Sequence, residues 1–152
     1  MLDRAFSRYL VVGVVVFAAA SSLGASFAQQ SEPASKHPLA GTSWQLVRFQ
    51  ASEGAASVPD ERSKYTIEFS TNDRFAVRFD CNQGGGTWIA SGANEIRFER
   101  IFLTPVVCPA SPIYDRIKTQ WALIRSFAIK NGRLFLTVAS DGGVYEFERR
   151  GQ

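Results

Sequence analysis

Cys81 and Cys108 are the only cysteines of the 152-residue chain, and His37 is its only histidine. A thiol and an imidazole can form a nucleophile and its base, but His37 stands in a small, polar stretch ahead of the first β-rich segment. That is a leader position, so no base is assigned to either thiol. A separation of about 27 residues also rules out a Cys-x-x-Cys redox pair. In an oxidising compartment two cysteines with no third partner pair with each other. Closing that loop would stabilise the fold by roughly 3 to 3.5 kcal/mol on a chain-entropy estimate. Cys81 and Cys108 are therefore expected as a structural disulfide, and no catalytic residue is assigned.

Other groups invite sharper readings and support blander ones. Glu146 and Glu148 share one face of a strand, as a glycosidase pair can. With Asp80 they are the carboxylates that could be nominated, and on a solvent-facing strand they read as ordinary surface. Gly84-Gly85-Gly86 lacks the Lys-Ser/Thr or following helix of a phosphate loop, so it reads as a turn or bulge. Arg74, Arg78, Arg97 and Arg100 are interspersed with Glu68, Glu95 and Glu99, the pattern of a mixed, solvated face. The net charge of +3 is too small to imply a nucleic-acid partner. No His/Cys/Asp cluster has metal-ligand spacing, and neither a metal nor another cofactor is expected. Trp44, Trp88 and Trp121 could be core, or could line a small apolar ligand cavity at the mouth of a barrel-like sheet.

The elements that position these residues follow from the patterning. Arg4 and Arg8 precede an apolar run over residues 10–20, and Ser26-Phe27-Ala28 supplies the small-x-small site of signal peptidase. As a helix the run rises only about 16 Å, short of a hydrocarbon core of roughly 30 Å. Residues 1–28 are thus expected as a signal peptide, residues 29–38 as a flexible leader and residues 39–150 as one domain without a membrane anchor. The expected compartment is the bacterial periplasm, with full secretion as the alternative. At 45% hydrophobic and 12% aromatic residues the chain can bury a core.

Within the domain, residues 42–49 are rich in β-formers, and residues 51–63 read as a loop. Tyr65, Ile67 and Phe69, then Phe75, Val77 and Phe79, alternate with polar residues as two half-buried strands around a tight turn at residues 71–73. Residues 87–90 and 95–101 repeat the arrangement. Residues 127–130 and 133–139 flank Asn131-Gly132, a strong two-residue hairpin signal, and residues 144–149 end the series. One helix interrupts the strands: Ser111 caps it, Pro112 opens it, and Ile113, Ile117, Trp121 and Ile124 fall on one face. The fold class is mainly β with one helix (α+β), a strongly bent antiparallel sheet or cracked β-barrel packed on one amphipathic helix.

Several motifs recur in a recognisable order: Leu39-Ala40-Gly41-Thr42-Ser43-Trp44, Asp80-Cys81-Asn82 with the glycines and Trp88, Thr104-Pro105-Val106-Val107-Cys108-Pro109, Leu134-Phe135-Leu136, and Gly143-Val144-Tyr145-Glu146-Phe147. Together they resemble the META domain family of HslJ-like heat-shock and envelope proteins. Thr42, Trp44, Cys81, Asn82, Thr104 and Cys108 carry the likeness. It implies a small, usually exported β-rich domain with a helix on a cracked barrel, no catalytic residues, and links to stress tolerance. The expected function is a non-enzymatic envelope module that binds a small apolar ligand or an envelope protein. The alternative is an inhibitor or partner of a secreted hydrolase, with residues 51–63 or 84–86 as the docking tip.

Overall fold

A computed structural model describes residues 37–151, so the expected signal peptide and residues 29–36 of the leader lie outside the described residues. Eight antiparallel strands follow one another around a closed barrel: β1 (Thr42–Gln50), β2 (Tyr65–Phe69), β3 (Arg74–Phe79), β4 (Asn82–Ser91), β5 (Glu95–Leu103), β6 (Ile124–Lys130), β7 (Arg133–Val138) and β8 (Val144–Arg149). Closure is made by β1 on β8, with a register shift between Leu46 and Arg48. The seams are unequal. β4 and β5 pair from Gly84↔Leu103 to Ser91↔Glu95, whereas β5 and β6 meet at the single pair Glu95↔Ser126. The expected crack is therefore a thin seam within a closed ring.

Alternation drives the barrel, as strand period requires. In β3 the side chains of Phe75, Val77 and Phe79 are buried while those of Arg74, Ala76 and Arg78 are exposed. The interior is filled by Phe69, Phe75, Phe79, Phe98 and Trp121 in tilted and edge-on packing, with Trp121 and Phe98 centroids 4.7 Å apart. Helix α1 (Pro112–Gln120) buries Ile113, Tyr114 and Ile117. It is tied to β2 through Ser111 and Tyr65 (3.1 Å) and to β8 through Gln120 and the Tyr145 hydroxyl (2.7 Å), which lays it across one end of the barrel. Ser111 caps it and Pro112 opens it, as expected. Asn131 and Gly132 both have positive φ, at 51° and 72°, the requirement of the β6–β7 hairpin.

Three local expectations are corrected. The helix was expected to run through Ile124, but it gives way to a 3-10 turn over Trp121–Leu123, and Ile124 opens β6. Ile124 is fully buried, so its apolar character belongs to the barrel interior and not to a fourth helical position. His37 was expected in the leader. Its ring packs 4.9 Å from Trp88 and 5.2 Å from Phe127, and its carbonyl accepts a hydrogen bond from the Ala40 amide (2.8 Å). Finally, residues 84–86 lie inside β4, so they cannot be a docking tip. A bulge is present, with a register shift between Gly85 and Thr87.

Close backbone approach explains that glycine run. A Cβ would stand 2.1 Å from the Phe102 carbonyl oxygen at Gly84, 2.5 Å from that of Phe75 at Gly85 and 2.4 Å from that of Glu99 at Gly86. Rigid backbone cannot yield as a side chain can. Gly85→Ala should lower the free energy of unfolding in urea by about 2 kcal/mol or more. Gly151→Ala, where a Cβ meets nothing within 4 Å, should leave it unchanged; equal stability of the two variants would refute the packing account.

Candidate functional site

Asn82, the first residue of β4, is fully buried. A buried primary amide must satisfy one carbonyl oxygen and two N–H donors or destabilise the fold. Its Oδ1 accepts from the Thr104 hydroxyl (2.8 Å) and from the Val106 amide (3.0 Å). Its Nδ2 donates to the Val106 carbonyl (2.9 Å) and the Tyr114 hydroxyl (2.9 Å), with Cys108 Sγ also at 3.0 Å. Only one orientation of the amide works, because the Val106 N–H must face oxygen and the Val106 carbonyl must face nitrogen. One side chain thus holds both backbone polar groups of Val106.

Further restraints converge on the same loop, residues 104–110. Cys81 and Cys108 form the expected disulfide, with Cα atoms 5.6 Å apart. The Thr104 amide donates to the Gln83 carbonyl (2.8 Å), and the Gln83 amide donates to the Thr104 hydroxyl (3.0 Å), carrying the β4–β5 ladder one residue beyond β5. The loop joins α1 through the Ser111 cap. It nevertheless turns apolar side chains outward: Val106 is 53% exposed and Val107 94%. Phe102, at the end of β5, is also exposed. A depression of about 390 Å³ separates the loop from α1, lined by Pro105, Pro109, Tyr114 and Lys118 among others.

The remaining motif residues form a second polar knot. The Trp44 indole N–H donates to the Thr42 hydroxyl (2.7 Å), which donates to the Leu39 carbonyl (2.5 Å). The three tryptophans have separate surroundings. Trp44 lies under the Arg149 guanidinium, 5.0 Å from its ring; Trp88 packs on His37 and Phe69; Trp121 packs among the phenylalanines of the interior. Of the three, Trp88 borders a depression of about 390 Å³, with His37, Asp73 and Glu99. Burial lowers the His37 pKa, opposed by the Asp73 charge.

Of the three nominated carboxylates, Glu146 and Glu148 are engaged, whereas Asp80 accepts from Arg78 only through its backbone carbonyl (3.0 Å). Glu146 is gripped by Arg48 (2.6 Å) and Arg133 on the two flanking strands. Burial alone would raise its pKa, but the two guanidinium groups outweigh it and hold the carboxyl below the usual range. The Gln45 amide on Glu148, with Arg62 at 3.0 Å, lowers that carboxyl as well. Both carboxyls are shifted in the same direction, whereas the acid and base of a glycosidase pair are pushed apart by their surroundings. Among the described residues no group of three or more His, Cys, Asp or Glu could hold a metal ion.

An eight-stranded antiparallel barrel closed at one end by a short helix, with a disulfide-clamped loop beside it, defines the class. The chain belongs to the META domain family, whose model matches residues 37–152. This is not a known enzyme family. The chain is similar to a protein from Burkholderia xenovorans solved by NMR, at 19% identity and TM-score 0.63, covering 80% of this chain and 90% of that one. It is also similar to a DUF4847 family protein from Bacteroides vulgatus, at 15% identity and TM-score 0.56, covering 76% of this chain and 96% of that one. These likenesses establish the fold. No curated protein gives a significant match.

Sequence reasoning placed Asn82, Thr104 and both cysteines in the family motif but read no role for Val106 and Val107. The available signal is an apolar pair bracketed by Pro105 and Pro109 in a segment without strand or helix periodicity. Asn82→Ala would strand the Val106 amide and carbonyl and the Tyr114 hydroxyl. It should reduce stability by about 2 to 4 kcal/mol in urea unfolding of the oxidised protein. A change below about 0.5 kcal/mol would show that the clamp is not a structural determinant.

Proposed function

We propose that the protein is an exported, non-enzymatic module of the bacterial envelope, serving stress tolerance by binding another protein through residues 104–110. The observation that carries this reading is Val107, an apolar side chain 94% exposed on a loop held by a disulfide and a buried amide. Apolar surface held rigidly in water favours association, because little ordering entropy is left to lose on binding. A protein partner is favoured over a small apolar molecule because the barrel interior is occupied by aromatic side chains drawn from several strands and from the Trp121 turn. Export is supported by Arg4, Arg8, the apolar run and the Ser26-Phe27-Ala28 site, and by a disulfide of the kind oxidising compartments maintain. The periplasm is the compartment this reading assigns.

A photo-crosslinking amino acid placed at position 107 in cells of the native host tests the reading. It should give a discrete protein adduct from the exported fraction, on a chain whose mass begins at Gln29. The same residue at Ile89, an exposed apolar position on β4, should give none. Equal labelling from both positions, or an uncleaved chain in the cytoplasm, would refute it.

A further inference from the structure

We infer that residues 104–110 form a substrate-like inhibitory loop that occupies the cleft of an elastase-type serine endopeptidase, with Val107 in its specificity pocket. The inference rests on the reading of this loop as the protein-binding surface and adds the class of partner. Its foundation is backbone polarity. In an extended chain the N–H and C=O of one residue point to one edge, and those of the next residue point to the other. The loop has extended character: Pro105 and Pro109 disfavour helical geometry at Thr104 and Cys108, and no residue from 104 to 110 has positive φ. Asn82 takes both polar groups of Val106, as a neighbouring strand would. Val107 therefore turns its own N–H and C=O outward, and among the described residues neither has a partner.

The outer edge of this loop thus offers a free backbone donor, a free backbone acceptor and one aliphatic side chain. An endopeptidase cleft reads that combination, through main-chain hydrogen bonds and a pocket for one side chain. A small β-branched side chain fits a shallow aliphatic pocket and gives nothing to a deep pocket floored by a carboxylate. The anchoring also distinguishes an inhibitor from a substrate. Hydrolysis of the Val107–Cys108 bond would add one water, leaving a Val107 carboxylate and a Cys108 amine. Asn82 holds the chain on one side of that bond and the Cys81–Cys108 disulfide on the other. The new ends would remain adjacent, and the reverse reaction, expelling water, would compete with release.

The test assays the oxidised exported protein against an elastase-type serine endopeptidase and against trypsin. The wild type should inhibit the first competitively at micromolar concentration or below and leave trypsin unaffected. Val107→Lys should weaken the first inhibition by at least about tenfold and create inhibition of trypsin, and Val107→Asp should abolish both. Unchanged urea unfolding of these surface variants assures that each is folded. Failure of the wild type to inhibit, inhibition indifferent to residue 107, or rapid cutting of the loop with full turnover would each overturn the inference. A position-specific crosslink from residue 107 without peptidase inhibition would overturn it while sparing the broader protein-binding reading.

Discussion

The side-chain amide of Asn82 is removed from water and faces three groups: the hydroxyl of Thr104 just past β5, the backbone of Val106, and Tyr114 on α1. No other side chain of similar size could replace it without loss. Aspartate could not donate to the Val106 carbonyl, and leucine would remove the Asn82 partners of both Val106 backbone groups and of the Tyr114 hydroxyl. The disulfide next to it adds a covalent tie in the same place. Together they determine where the chain leaves the barrel after β5 and where α1 begins.

That constraint matters because the barrel is weakest nearby. β5 has a full ladder with β4 but a single register pair with β6. Between these strands the chain must leave the sheet, cross the barrel end as α1 and return through the Trp121 turn. Trp121 supplies the apolar fill on this path, packing on Phe79 at 4.9 Å and on Phe98 at 4.7 Å. Clamping residues 104–110 to β4 fixes the start of the crossing, and the Tyr145–Gln120 hydrogen bond fixes its end. The exposed loop is thus a consequence of closing the fold, and its rigidity is available for recognition.

Much of this was legible from residue order. Strand periodicity located β2, β3 and β8 to within a residue, and Asn131-Gly132 marked its hairpin, because those signals are local. The end of α1 was not legible: Ile124 continues the apolar spacing of the helix, and only the packing around Trp121 shows that the next buried position belongs to a strand. The glycine run reads as a turn or bulge, and the bulge is present; what requires glycine there, the approach of the Phe75, Glu99 and Phe102 carbonyls from neighbouring strands, depends on pairing distant in sequence. From its polar neighbours His37 reads as leader, whereas its packing on Trp88 and Phe127 depends on contacts distant in sequence. The disulfide followed from cysteine number and compartment. The exposure of Val107 did not, since a segment without strand or helix periodicity assigns its side chains no face until the backbone is placed.

The central claim is that Asn82 engages the backbone of Val106 and thereby presents that of Val107. Residue-resolved amide hydrogen exchange measures this directly. In the oxidised wild type the Val106 amide should be protected and the Val107 amide should exchange at nearly the open-chain rate. In Asn82→Ala, Val106 should lose its protection while the barrel amide of Val77 keeps its own. If Val106 exchanges as fast as Val107 in the wild type, or keeps its protection without Asn82, the account is contradicted.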